Sequence, residues 1–500
     1  MARTLFTFIV ALVCISHAAL SLAADAPAKA RPNIVWIFVD DMSANFGCYG
    51  EKTIKTPVVD QLAADGSRFS HAYVTAPVCS ANRSALITGM YQTTIGAHHH
   101  RSGRGKEKIH LPQGVVPVPV LFQKAGYFTT ITSWPISAKN AKARGKTDYN
   151  FQWDAKMYDH GDWRARAKGQ PFFTQIQLPG GKLRGGGRMN PNIIQKLGSA
   201  TSPDDVTLAP YYPRDPVLLG DWAAYLDSCR ETDRVVGEIL DRLKEDGLLD
   251  TTYVFFMTDH GISHARGKQF LYDEGMHVPF IIKGPGIAKG AVRSDLVEHI
   301  DMTATSLALA GIEIPSWMQG RDILAKDYKE RDAVFAARDR CDETVEGIRA
   351  VRTQEYKYIR NFYPDRPMLQ PNNYKDNKPI LITLRKLHDA GKLTALQDKL
   401  LFAPTRAHEE LYDLKADPFE LNNLAGDPAH RDTLLKLRAR LDEWMKKTDD
   451  KGRLPESDAM YDSDMAEYVG GRGGKGDSQT EKNIALMKKW AIERPMKVNP

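Results

Sequence analysis

The chain has 500 residues, 42% of them hydrophobic and 26% charged, with a net charge of +6. That composition excludes a fibrous or disordered chain, and the length exceeds what one core usually fills, so more than one domain is expected. The 68 basic residues are offset by 62 acidic ones and form no clustered stripe; nucleic acid is therefore not an expected partner, while a mildly basic surface suits an anionic substrate.

The first element resembles an export signal. Arg3 supplies a positive start, Leu5 to Val13 an apolar core, and Ser21-Leu22-Ala23-Ala24 small residues for cleavage. Residues 1–24 are expected to be a signal peptide and the mature chain to be secreted or periplasmic. No later stretch has the ~20 continuous apolar residues that a membrane span needs. Export permits disulfides, but Cys48, Cys79, Cys229 and Cys341 are too few in so long a chain to form a disulfide framework. Cys229 falls on the apolar face of a helix with Leu226, Val236 and Ile239 and is expected to be a buried thiol.

Asn33 to Val39 is a continuous apolar run of strand length that ends abruptly in Asp40-Asp41. Tyr253 to Met257 repeats the design and leads through Thr258 into Asp259-His260-Gly261. Such runs suit strands buried on both faces. Tyr127 to Thr132, Pro171 to Leu178 and Val278 to Ile282 are further strand candidates, with a helix over Asp221 to Lys244. Alternating strands and helices over residues 31–324 predict an α/β domain with a large, mostly parallel sheet covered by helices. Gly180-Gly181 and Gly185-Gly186-Gly187 predict a flexible loop. Over 325–450 the character changes. Ala333 to Ala337, Ile348 to Arg352, Tyr356 to Asn361 and Glu410 to Leu414 are closely spaced short strands, with a helix from about Asp432 to Lys447, which predicts a smaller α+β subdomain with an antiparallel sheet. Residues 451–500 are polar and Gly-rich (Gly470-Gly471-Arg472-Gly473-Gly474) and are expected to form an extended tail.

Ligands of open α/β sheets bind beyond the carboxyl ends of the strands. Two strands here end in Asp-Asp and Asp-His. An isolated Asp-Asp is as readily a cap or turn, but matching acidic ends on two strands converge carboxylates that a hard cation, calcium or magnesium, would neutralise. Cys79 opens a helical stretch, which sets it at the positive end of a helix dipole, and Arg83 returns to the same face four residues on. Asn82-Arg83-Ser84 also spells a glycosylation sequon, read here as coincidence.

The segment Cys79-Ser80-Ala81-Asn82-Arg83 with Leu86, Thr88 and Gly89 resembles the signature of the formylglycine-dependent (type I) sulfatases of the alkaline phosphatase-like superfamily, with Ala81 and Asn82 in place of the usual proline and serine. Arg31-Pro32-Asn33-Ile34, Thr56-Pro57 with Leu62, Gly66 and Phe69, Thr258 to Gly261, Gly275 to Ile281, and Leu411 to Leu414 with Asp417-Pro418 are similar to further motifs of the family, so the resemblance covers residues 31 to about 450. It implies that Cys79 is oxidised by a maturation enzyme to a formylglycine, hydrated to a gem-diol of which one hydroxyl attacks sulfur. It implies a divalent metal, calcium before magnesium, on Asp40, Asp41, Asp259, His260 and the modified Cys79, with Arg83, Lys146 and Lys268 stabilising charge on the transferring group. His260 stands where many relatives carry asparagine.

The match departs from the family pattern at two histidines. Gly145-Lys146-Thr147-Asp148 keeps the lysine of Gly-Lys-x-His but has Asp148 for the histidine, after an insertion from Trp134 to Arg144 that adds Lys139, Lys142 and Arg144. Pro179-Gly180 replaces a Pro-His pair whose histidine commonly protonates the leaving oxygen. Lys182 or a histidine of His98-His99-His100, notably His100, is the candidate substitute as a substrate-facing group; the histidine run reads equally as a surface accident. Arg338 to Glu343 resembles the heparan N-sulfatase branch. The resemblance implies a sulfatase acting on a sulfated carbohydrate. Two alternatives stay open: a phosphonate monoester or phosphodiester hydrolase of the same superfamily, and a catalytically weak protein that binds sulfated glycans.

Overall fold

The computed structural model describes residues 31–137, 144–470 and 477–498. The expected signal peptide, Lys139 and Lys142, and the glycines after Gly470 lie outside the described residues. Among the described residues no helix is long and apolar enough to cross a membrane.

The apolar run at the start forms β1 (Asn33–Val39), with every residue buried. The strands that follow are β2 (Ser67–Phe69), β3 (Ala72–Tyr73), β4 (Phe128–Ser133), β5 (Phe172–Leu178), β6 (Thr252–Thr258), β7 (Phe280–Lys283), β8 (Ala291–Arg293) and β9 (Val297–Glu298). Seven of them make one sheet in the order β4-β5-β1-β6-β7-β2-β8, and β3 pairs with β9. The four strands from β4 to β6 are mutually parallel, whereas β7 runs antiparallel to both β6 and β2. Alternate residues of β1 serve two cores. Ile34, Trp36 and Phe38 join one cluster, and Val35, Ile37 and Val39 join another with Leu226, Cys229, Val236 and Ile239 of the helix Pro216–Glu245. Burial on both faces is why the run lacks polar alternation, and each large side chain so buried contributes about 1.5–3 kcal/mol. Cys229 is a buried free thiol, as expected.

The register brings three strand ends level. Val39 is aligned with Leu178 on one side and with Thr258 on the other. Asp40, the Gly180 turn and Asp259 therefore emerge side by side at one edge of the sheet.

The second sheet is antiparallel, in the order β10 (Val334–Arg338), β11 (Ile348–Arg352), β12 (Tyr356–Asn361) and β13 (Glu409–Asp413). The helix Arg431–Lys447 covers it, burying Leu434, Leu437, Leu441 and Trp444 against Val351 and Tyr358. The expected fold class is observed. From Pro32 onward the described residues cluster as one compact unit that holds both sheets.

The expected extended tail at 451–500 is corrected. Asp458–Gly470 and Ser478–Glu493 are helices. Tyr461 and Met465 on the first, and Met487 and Trp490 on the second, are spaced to share a helix face and bury together. A polar average hides that narrow stripe.

Candidate active site

Position 79 begins a helix, Cys79–Thr88, whose ten residues are all buried. Ser84 and Thr88 return their hydroxyls to the carbonyls of Ser80 and Ser84, which lets polar residues sit in a buried helix. Val78, at the N-cap, makes no side-chain cap, so the first N–H groups stay directed at the site beside Cys79. Asn82 donates to the carbonyl of Asp259 at 2.5 Å and is buried. That places it out of reach of a glycosylating enzyme.

The strand ends supply the rest. Asp41 holds a left-handed backbone (φ 54°), and its N–H donates to Asp259 Oδ1 at 2.9 Å. Gly180-Gly181, expected in a flexible loop, instead starts a tight turn, Gly180–Leu183, packed on the aspartate backbone. A Cβ at Gly180 would lie 2.3 Å from the Asp40 carbonyl, and one at Gly181 would lie 2.1 Å from that of Asp41. The close approach accounts for glycine where a histidine was looked for, and the turn brings Lys182 over the centre.

Four groups surround the Cys79 sulfur. His260 Nε2 and Lys268 Nζ lie 3.2 Å away, Lys182 Nζ 3.8 Å and Asp41 Oδ1 3.9 Å. Lys268 also reaches Asp41 Oδ1 at 3.0 Å. Arg83 donates to Asp40, lies 3.7 Å from Asp259 Oδ2, and donates to Gln177 Oε1 at 2.5 Å, so it braces the carboxylates from behind. Lys146 Nζ reaches Asp40 Oδ2 at 3.1 Å, and Lys182 reaches the same oxygen at 2.5 Å. Lys146 thus keeps its place despite the insertion. Asp148 stands in ion pairs with Arg104 (2.6 Å) and Lys146 (3.7 Å).

The histidine run is buried throughout, which overturns its reading as a surface accident. His100 Nδ1 lies 2.8 Å from Ser80 Oγ, and His99 Nδ1 accepts from the Arg340 N–H. His100 therefore backs the residue after Cys79. Sequence reasoning missed Tyr374, whose hydroxyl lies 3.4 Å from both Asp41 Oδ2 and Lys268 Nζ. It comes from 333 residues away in the chain, on a short helix with no motif to flag it.

The electrostatics follow from this packing. Burial works against a Cys79 thiolate, but Lys146, Lys182, Lys268 and His260 outweigh it and hold the thiol well below the ordinary range. Burial likewise opposes ionised Asp40 and Asp41, and the neighbouring cations keep both strongly acidic. Asp259 goes the other way. Burial, then the negative charge of Cys79 and Asp40, pushes it up to about 7 despite His260. Lys182 is buried enough to disfavour its charge, yet Asp41 and Cys79 keep it firmly protonated.

Asp41, Cys79, Asp259 and His260 each offer a ligand atom, and these atoms all lie within 4.8 Å of one another. Asp259 Oδ2 is buried without a hydrogen bond. Two carboxylates, an imidazole and a nucleophile position in so small a volume fit a divalent cation, which would offset both the burial and the neighbouring negative charge that raise Asp259. Asp40 adjoins this group through its pairs with Arg83, Lys146 and Lys182.

The sulfatase family model matches residues 32–312, and the model described as N-sulphoglucosamine sulphohydrolase, C-terminal, matches residues 260–377. An ulvan-active sulfatase of Formosa agariphila is 33% identical over 478 residues, spanning 86% of this chain and 77% of its own. Human N-sulphoglucosamine sulphohydrolase is 26% identical over 472 residues, spanning 84% and 91%. A solved 2-O GAG sulfatase superposes with a TM-score of 0.60 at 22% identity, over 86% of this chain and 95% of that one. Fold and site thus define an alkaline phosphatase-like hydrolase with a buried, cation-rich centre. The chain belongs to the sulfatase family, and its reaction is the hydrolysis of sulfate esters.

Proposed function

We propose that this sulfatase acts on a sulfated saccharide, with residue 79 as nucleophile after a formylglycine-generating enzyme has converted Cys79 to an aldehyde. The observation that carries the reading is the convergence of His260, Lys268, Lys182 and Asp41 on one sulfur atom, which stands in for the attacking oxygen of the hydrated aldehyde. Asp40, Asp41, Asp259, His260 and residue 79 would hold the metal. Calcium suits this set better than magnesium, because it tolerates irregular oxygen-rich sites. When bound, the ion offsets carboxylate charge and favours the ionised nucleophile.

The chain's own residues do the rest. Lys182 and Lys268, held cationic beside the nucleophile, receive the oxygens of the sulfuryl group and stabilise the charge that grows there. Arg83 fixes Asp40 and Asp259, and His100 fixes Ser80, so the donors do not reorganise during reaction. Lys182 takes the place of the missing histidine as an electrostatic clamp. Asp148, held below the ordinary carboxylate range by Lys146 and Arg104 against its burial, stays ionised and takes no part in protonating the leaving oxygen.

Saccharide substrates are supported by the relatives, named for activity on ulvan and N-sulphoglucosamine. A secreted or periplasmic location is supported by the sequence of residues 1–24. The test is release of inorganic sulfate from sulfated saccharides and aryl sulfates, beside matched aryl phosphodiesters. Sulfate release well above phosphodiester turnover is expected. The reverse preference makes the chain a phosphodiester hydrolase, and saccharide binding without release by converted protein makes it a binding protein.

A further inference from the structure

Lys146 has two faces. Its amino group meets Asp40 in the centre, and the same residue lines one wall of a separate cleft of about 560 Å³. Arg104, Lys108, Asp148 and Trp153 are among the other residues that line it. Asp148 is already paired with Arg104 and Lys146, and Lys108 adds a third cation to the lining, so the cleft carries excess positive charge. Trp153 is half-buried, with its ring packed edge-on against Tyr149 at 5.6 Å. A rigid aromatic wall beside fixed cations is the lining that a charged pyranose ring requires: apolar contact for the ring and charge-assisted hydrogen bonds for its anion.

The cleft is built, not incidental. Lys108 Nζ donates to the Arg104 carbonyl at 2.8 Å. The loop that carries both is pinned from outside by the helix Asp458–Gly470: Gly103 N–H donates to Asp464 Oδ1 at 2.9 Å, and Glu107 N–H to Ser463 Oγ at 2.8 Å. Asp148 is held in a left-handed backbone (φ 56°), a conformation that non-glycine residues keep where surrounding structure enforces it.

We propose that this cleft is a second saccharide subsite, taking an anionic pyranose unit, carboxylated or sulfated, adjacent to the unit that loses its sulfate. The inference rests on the saccharide reading above. Binding energy from this remote unit would be used to position the scissile ester at residue 79.

The test compares sulfated disaccharides whose second ring is neutral, carboxylated or sulfated at an uncleaved position, with an aryl sulfate as a reference that cannot reach the cleft. The wild-type enzyme is expected to prefer an anionic second ring by about tenfold in kcat/KM, the effect of one charge-assisted hydrogen bond, and the better of the two anions identifies the group. The exposed Lys108→Glu and the ring deletion Trp153→Ala should remove that preference, with a larger loss on the disaccharides than on the aryl sulfate. Equal rates on neutral and anionic disaccharides, or a preference that survives Lys108→Glu, overturn the subsite while leaving the saccharide reading intact. Hydrolysis of the aryl sulfate with none of any disaccharide overturns both.

Discussion

Lys182→Met separates an electrostatic clamp from a proton donor. The Lys182 amino group lies 3.8 Å from the Cys79 sulfur and 2.5 Å from Asp40 Oδ2, with a third of its side chain (33%) exposed. A unit charge at 3.8 Å is worth about 4 kcal/mol at an effective dielectric of about 20. Partial exposure reduces this, so the expected loss is about 2.7 kcal/mol, or about 10²-fold in kcat/KM. The assay is a series of aryl sulfates whose leaving phenols span a wide range of acidity. A clamp acts on the sulfuryl oxygens, so the loss should be nearly the same across the series. A proton donor matters most to poor leaving groups, so its loss would grow steeply with phenol pKa. The fold should survive, because Arg83 and Lys146 still neutralise Asp40. A loss below about threefold, or one that rises about tenfold or more along the series, refutes the clamp.

Arg83→Met removes the buried partner of Asp40 and should cost about 3–5 kcal/mol in thermal unfolding as well as activity; Arg83→Lys should not rescue it, since one ammonium cannot span Asp40 and Gln177 as the guanidinium does. Asp233 accepts a 2.7 Å hydrogen bond from the Val59 N–H, capping a helix for which Thr56 makes no side-chain cap. Burial pushes its carboxyl from 3.8 up to about 6. A raised folded-state pKa gives stability that is fully present below the unfolded value and lost as pH rises through the folded one, so unfolding free energy should fall by up to about 3 kcal/mol from about pH 4 to pH 7 through this group, and Asp233→Asn should flatten that slope. Trp490→Ala should cost about 3–5 kcal/mol locally and expose residues 478–493 to limited proteolysis; a tail without packing would show no change.

How much could be read in advance varied with physical cause. β1 and β6 announced themselves because burial on both faces demands unbroken apolar runs, and their acidic ends stood out against them. β2 and β8, three residues each, are too short to display any period. The helix at Pro216 begins five residues before the expected Asp221; Asp215 accepting from the Val217 N–H and proline at the first position mark that start, a local cap signal that apolar periodicity does not register. In the site, Cys79, Asp41, Asp259, His260 and Lys268 stood out through motif and spacing, whereas Lys182 was only one of two alternatives for a missing histidine. The role of Gly180 and Gly181 was not, because it depends on a close approach to Asp40 and Asp41 across the sheet. Tyr374 was invisible for the same reason, and the tail helices because four large side chains among many charges leave a weak average.

The chemical state of residue 79 is the most direct test of the proposed mechanism. Protein made together with the maturing enzyme should yield, on mass spectrometry, a peptide lighter than the cysteine form by the exchange of thiol for aldehyde oxygen, and sulfate release should rise with the converted fraction and vanish in Cys79→Ala. An unmodified Cys79 in fully active protein, or undiminished activity in Cys79→Ala, contradicts it.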